Sequence, residues 1–386
     1  MLFTNIKFLR MENIFEIPKI FPGKFPPNFI NDVNGWSFTE EELRINHGKL
    51  LTLDIDFGKI CGLNCPQCFR RKNKADNISK KEMSYDETVS LILTAKKLGL
   101  RSVKFLGKGE PFENPRFIEF LRFLRSVDII PLVFTKGTVF GNDELAKKYN
   151  SHYGINNGVD LIKELKKLDI SILLGFNSFD PILQDKMVGK TGYTIERNIA
   201  LFRLIEAGFN QDNPTRLGII NTPINFENCD ESFSIYKWAR ERNLYPISTT
   251  SMISGYGART WENKNPDIEK VIDLYVKIYK FNLEKEIQTP EQIREEGISA
   301  YAGSCPCNQV ACGMYVTLNG TALRCPGDDI TIFGNIFEKS LEEIWLKSEN
   351  FQRAGMFNCG CPPKMGTSIP IFFFEKVMGR VKKLIF

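Results

Sequence analysis

Between residues 50 and 252, short apolar runs alternate with stretches in which apolar positions recur every three or four residues. The runs LLTLDIDF, SVKFL, PLVFT, ISILLGF, RLGIIN and YPISTTSM predict strands, and the periodic stretches 85–99, 116–127, 143–149, 158–168, 193–207 and 229–242 predict helices. Ser84, with Glu87 three residues on, predicts a capping box at the first of these helices. Strands that are each followed by a helix build a parallel sheet with right-handed crossovers. Six such units suit an α/β fold of the open, partial TIM-like (β/α)6 barrel type better than a closed barrel of eight.

After residue 260 the rhythm changes. A long helix over 267–286 leads into a cysteine-rich stretch with one hairpin, turning at Asn319-Gly320. The expected organisation is an N-terminal strap (1–50), the partial barrel (51–290), a small cysteine-rich domain (300–365) and a tail (366–386). The strap carries the proline-rich FPGKFPPNF, expected to pack on the barrel. In the tail, IPIFFFEKVMGRVKKLIF is a basic amphipathic segment that can make peripheral membrane contact or dock on the protein's own barrel.

Composition adds exclusions. With 42% hydrophobic and 25% charged residues the chain is neither disordered nor fibrous. A net charge of +5 with both signs interspersed argues against nucleic acid as a partner. MLFTNIKFLR lacks the features of a signal peptide, and no apolar run approaches the ~18 residues that span a bilayer, so a cytoplasmic protein is expected. His47 and His152 belong to no ligand or triad pattern, which leaves no histidine base to build chemistry on.

The cysteines carry the chemistry. Nine of the ten fall into two groups, one at 61, 65 and 68 and one between 305 and 361, unlike the framework of a small disulfide-linked domain. The first reads CGLNCPQCF, a C-x3-C-x2-C triplet on the loop after the first strand, the end where α/β barrels keep their chemistry. Three thiolates can hold three corners of a 4Fe-4S cubane and leave one iron open. Zinc, or three ordinary buried thiols, are the alternatives by spacing alone.

The triplet in this position resembles the signature of the radical S-adenosylmethionine (SAM) superfamily. Cys61, Cys65 and Cys68 match the cluster ligands, although Gln67 stands where the family commonly has an aromatic residue, with Phe69 one place later. GKGEP, Gly107 to Pro111 after the second strand, resembles the family's GGEP motif, which implies that Gly107, Gly109, Glu110 and Pro111 meet the amino group of SAM. Carbonyls and a carboxylate are suitable acceptors for an ammonium. NSFDPILQDKMVGK resembles a family stretch through Ser178, Asp180, Asp185 and Gly189, but has Val188 where an arginine for the SAM carboxylate is common, leaving Lys186 or Lys190 as substitutes. Ser178 and Asp180 read equally well as helix caps. Asn221 and GYGAR (255–259) occupy barrel positions at which relatives touch ribose or adenine.

In the second group, Cys307 and Cys325 frame C-x12-G-x4-C through Gly320, and a GNI…SL..IW run and Cys359-Gly-Cys361 follow. This resembles the SPASM or twitch extension of the same superfamily and implies an auxiliary iron-sulfur cluster on Cys307, Cys325, Cys359 and Cys361, with Cys312 as substitute. A structural zinc is the alternative. A spare thiol near the barrel mouth, from Cys229 or Cys305, could donate a hydrogen atom.

The resemblance implies reductive cleavage of SAM to a 5'-deoxyadenosyl radical, hydrogen abstraction from an unactivated carbon, and a reductant such as flavodoxin or ferredoxin. Modification of a peptide or protein is the expected outcome, with oxidation, epimerisation or rearrangement of a small metabolite or lipid as the alternative. A non-catalytic zinc-binding protein is the reading from a different class.

Overall fold

The computed structural model describes residues 13–260 and 262–385; the MLFTNIKFLR segment lies outside them. Six parallel strands run in sequence order: β1 (Thr52–Ile55), β2 (Ser102–Phe105), β3 (Ile130–Thr135), β4 (Ser171–Gly175), β5 (Leu217–Asn221) and β6 (Tyr245–Ser248). The connecting helices include α1 (Tyr85–Lys97), α2 (Phe117–Ser126), α3 (Gly158–Lys167), α4 (Pro181–Val188), α5 (Tyr193–Glu206) and α6 (Cys229–Arg240). Ser84 and Glu87 close the capping box at α1.

Strand alternation divides the sheet into two faces. Leu53, Ile55, Val103, Phe105, Ile172 and Leu174 pack outward against buried residues of the helices such as Leu91, Leu121, Leu161 and Leu201. Leu132, Leu173, Tyr245 and Ile247 share a second cluster with Val33, Trp36 and Tyr301, so the N-terminal segment fills one end of the barrel interior. Phe25 of FPGKFPPNF is buried against α7 (Ile268–Lys285), where its N–H donates to the Lys285 carbonyl at 3.0 Å.

The sheet stays open, yet it is longer than six strands. α8 (Gln309–Cys312) leads into β7 (Gly313–Val316), β8 (Thr321–Leu323) and β9 (Ile332–Asn335). β7 and β8 form the hairpin that turns at Asn319-Gly320, and β7 pairs in parallel with β1, Thr52 opposite Gly313 through Ile55 opposite Val316. The hairpin of the cysteine-rich segment therefore continues the barrel's own sheet in the order β6-β5-β4-β3-β2-β1-β7-β8-β9.

The tail forms α9 (Phe373–Ile385), which packs along α7. Phe373, Val377 and Val381 are buried with Tyr275 and Ile272, while Arg380 and Lys376 pair with Glu269 and Asp273. Its apolar stripe is thus taken up by the protein itself. Among the described residues no helix is long and apolar enough to cross a membrane.

Candidate active site

One cavity opens at the C-terminal ends of the barrel strands. Cys61, Cys65 and Cys68 line it from the first loop, Gly107, Gly109, Glu110 and Pro111 from the second, and Cys307, Cys325 and Cys361 from the C-terminal segment. Its walls also include Asp54, Lys104, Lys136 and Tyr301.

The loop bearing the first triplet has no regular structure and is held by its neighbours. Glu113 accepts from the Gly62 N–H at 3.0 Å, the Val188 carbonyl accepts from the Asn64 N–H at 3.1 Å, and the Cys68 carbonyl accepts from the Tyr256 N–H at 3.0 Å. Gln67 donates its side-chain amide to the Met187 carbonyl at 2.6 Å. Its departure from the aromatic pattern therefore serves to tie the loop to α4. Gly255 of GYGAR has a similar use, since a Cβ there would stand 2.4 Å from the Phe69 carbonyl oxygen.

Behind the loop lies a buried charge network. Asp56, 1% exposed, accepts from the Tyr315 hydroxyl at 2.6 Å, the Leu318 N–H at 3.0 Å and Arg70 at 3.3 Å, and also from the Lys108 N–H. One carboxylate thereby joins the cysteine loop, the GKGEP loop and the β7–β8 hairpin.

GKGEP occupies a crowded crossing. A Cβ on Gly107 would sit 1.9 Å from Asp56 Oδ1, and Gly109, at φ +85°, would bring one within 2.9 Å of the Ile60 carbonyl oxygen, so glycine is required at both. Glu110 is buried and accepts from the Thr135 hydroxyl at 2.7 Å and the Lys136 N–H at 2.9 Å. Burial pushes its carboxyl up to about 7 against these hydrogen bonds.

Other anticipated residues lie elsewhere. Ser178 is fully buried outside the cavity and accepts from the Asp180 N–H at 2.9 Å; Asp180 in turn caps α4. Asn221 ends β5 with its side-chain oxygen accepting from Asn228, while its neighbours Ile220 and Thr222 line the cavity, as alternation along a strand requires. Lys186 and Lys190 are engaged by Glu227 and Glu196. Neither lines the cavity.

A different lysine, Lys136, lies directly after β3. It lines the cavity, opposes the burial that raises the Cys65 thiol, and has no ion-pair partner for its ammonium among the described residues. Room for its side chain depends on Gly175, where a Cβ would stand 2.8 Å from Lys136 Nζ. Sequence reasoning missed Lys136 although its position, the first residue beyond a barrel strand, was a usable signal. It also missed Asp54 and Lys104, opposite each other in two adjacent strands, whose inward register only the barrel reveals.

Of the anticipated auxiliary ligands, Cys307, Cys325 and Cys361 reach the cavity. Cys359 does not; its Sγ lies 4.0 Å from the Met356 carbonyl, and the αL residue Gly360 separates it from Cys361. The substitute Cys312 is buried with Phe38, Leu43 and Leu51 and donates to the Asn308 carbonyl at 3.2 Å. Cys229 is packed in an apolar cluster and Cys305 donates to the Asn31 carbonyl, so neither is placed to serve a radical in the cavity.

Burial pushes the Cys307 thiol up to about 11, while the neighbouring Glu110 carboxyl also raises the thiol of the more exposed Cys61. Metal-free, these groups are neutral. Among the described residues no three thiol, imidazole or carboxylate groups are already gathered tightly enough to hold a metal ion. Neutral thiols do not attract one another, and metal binding would have to displace their protons. The donor set itself, soft sulfur on two walls of one cavity, fits iron-sulfur clusters.

Comparison with known proteins agrees with this donor set. The profile of the radical SAM superfamily matches residues 55–261. The chain belongs to the radical SAM superfamily. A second profile, the SPASM iron-sulfur cluster-binding domain, matches residues 305–365. This radical SAM enzyme thus carries a SAM-binding 4Fe-4S cluster and auxiliary iron-sulfur binding in its C-terminal part. No curated protein sequence matches the chain significantly. Among solved structures, Streptococcus suis SuiB bound to precursor peptide SuiA is similar, at TM-score 0.52 and 19% identity, covering 81% of this chain and 69% of SuiB. SuiB bound to S-adenosylmethionine gives TM-score 0.51, also at 19% identity, covering 81% and 70%. The likeness is one of fold.

Proposed function

We propose that this radical SAM enzyme modifies a peptide or protein at an unactivated carbon, using SAM bound beside Cys61, Cys65 and Cys68. One observation carries the reading: the first cysteine triplet and three cysteines of the C-terminal group line a single cavity, so a substrate there has access to both. When bound, the open cluster and SAM supply one-electron cleavage to methionine and a 5'-deoxyadenosyl radical. Everything else falls to the chain's own groups.

Cys61, Cys65 and Cys68 hold the cluster. Glu110 and the carbonyls around Gly107 and Gly109 accept from the SAM ammonium, and Lys136 answers its carboxylate in place of the arginine that Val188 replaces. The apolar stretch of wall, including Trp36, Phe134 and Ile247, excludes water from a radical. Cys307, Cys325 and Cys361 hold the auxiliary cluster, with Cys359 as a fourth ligand only if the Gly360 turn rearranges. A flavodoxin- or ferredoxin-type protein serves as reductant. The peptide reading is supported by the shared fold with SuiB, which has been crystallised with its precursor peptide.

Anaerobic reconstitution with iron and sulfide, then SAM and dithionite, tests the chemistry; zinc in place of iron, or no 5'-deoxyadenosine, rejects it. For the substrate, 5'-deoxyadenosine release is measured with the small-peptide and the metabolite fractions of a cell extract. Stimulation by the peptide fraction that protease treatment abolishes supports the reading; stimulation by metabolites alone replaces it with small-molecule oxidation.

A further inference from the structure

Three residues beyond Cys361, the chain buries a lysine completely. Lys364 is 0% exposed, and its N–H donates to the Cys361 carbonyl at 2.9 Å, which anchors it to the auxiliary cysteines. Its ammonium donates to the Thr249 hydroxyl at 2.8 Å and to the Thr250 carbonyl, both on the loop after β6. Among the described residues no carboxylate pairs with it. Thr249 lines the same cavity as Cys307, Cys325 and Cys361, so the ammonium is held at the edge of the space these thiols share.

A cation buried without a counter-ion is a costly arrangement, and an opposite charge that arrives with a bound group offsets the cost. Neutral thiols do not provide that charge. Thiolates on a metal centre do, and an iron-sulfur centre of this kind is a concentrated negative charge that grows by one with each electron taken up. Buried charges interact strongly because little solvent screens them. The contrast with Arg70 is instructive, since that buried cation already has Asp56 and Asp76.

We propose that Lys364 is the built-in counter-charge of the auxiliary centre on Cys307, Cys325 and Cys361, and that it raises the reduction potential of that centre. The inference rests on the reading of these cysteines as cluster ligands. It makes Lys364 a positioning and tuning residue. It touches no reacting atom, and it favours the reduced form because the reduced form is the more negative.

The full-length protein with Cys61, Cys65 and Cys68 all replaced by alanine isolates the auxiliary centre. After anaerobic reconstitution, its midpoint potential is followed by spectroscopic redox titration, alone and with K364M, K364Q or K364R added. K364M and K364Q should lower the reduced-to-oxidised ratio at fixed potential at least tenfold, a shift of about 59 mV for a one-electron couple. K364R, which keeps the charge, should retain most of the parent value. In metal-free protein K364M should melt at a higher temperature than the parent, the opposite of what a merely structural lysine predicts. An unchanged midpoint in K364Q overturns the inference and leaves the auxiliary centre standing. No iron in the triple-alanine protein overturns both.

Discussion

At Lys136 an ammonium stands in the cavity wall with a glycine, Gly175, cleared away beside it. A hydrogen bond to a charged group contributes about 1.5–3 kcal/mol. K136M should therefore weaken SAM binding to the reconstituted enzyme about 10- to 150-fold by equilibrium dialysis, with K136R much less affected. Equal affinities for wild type and K136M would remove Lys136 from the SAM site. Asp56 presents the converse case, a carboxylate that the fold cannot lose. D56A leaves Arg70 buried at 1% exposure with only Asp76 at 3.4 Å. It should cost about 3 kcal/mol, the lower end of the range for breaking a buried pair, in denaturant unfolding of the metal-free protein. D56N, which retains hydrogen-bonding capacity, should cost less.

Among the elements, the legible ones were those whose evidence is local. α1, α3 and α5 start where the periodicity placed them, α1 behind the anticipated Ser84 cap, and the hairpin turns at Asn319-Gly320. The cysteine triplet was legible because its spacing is itself the ligand geometry of one loop. Lys136, Asp54, Lys104 and Lys364 were not, since a lysine or aspartate in a strand or loop acquires meaning only from what folds opposite to it. Ser178 resembled a site residue, yet its hydroxyl is occupied with the Asp180 N–H. The tail's composition suited both a membrane surface and the protein's own surface; the stripe of α9 buried against α7 favours the second. F373A removes a ring that meets Tyr275 edge-on at 4.9 Å. It should cost about 3–5 kcal/mol, seen as a lowered unfolding midpoint. K382E with K383E, which leaves the buried stripe in place and reverses exposed charge, should leave co-flotation with anionic vesicles unchanged.

For the molecule as a whole, burial raises the carboxyls of Asp32 and Asp54 from 3.8, and of Glu110 from 4.5, to about 7. In the window between those values the native state holds protons that the unfolded chain has released. Their stabilising contribution is complete below about 3.8 and is lost as pH rises through about 7. The metal-free enzyme should accordingly lose stability between pH 5 and 7.5, at up to about 1.4 kcal/mol per pH unit for each group. D54N should flatten the slope by one such contribution in denaturant titrations run across that range. A slope unchanged by D54N would mean that Asp54 is ionised in the fold.

The pairing of β1 with β7 has a further consequence for how the protein is made. The partner of Thr52–Ile55 lies at Gly313–Val316, so one edge of β1 has nothing to bond until most of the chain has left the ribosome. At about 5–20 residues per second, the wait is roughly 13–50 s. During that time the nascent barrel exposes an unpaired parallel edge and a half-built cavity in which the first three thiols are present and the last three are not. Iron delivered early would meet only the first loop, so the auxiliary centre can be completed only after Cys361 has emerged. Expression yield should then depend on chaperone capacity and slow growth before it depends on iron supply.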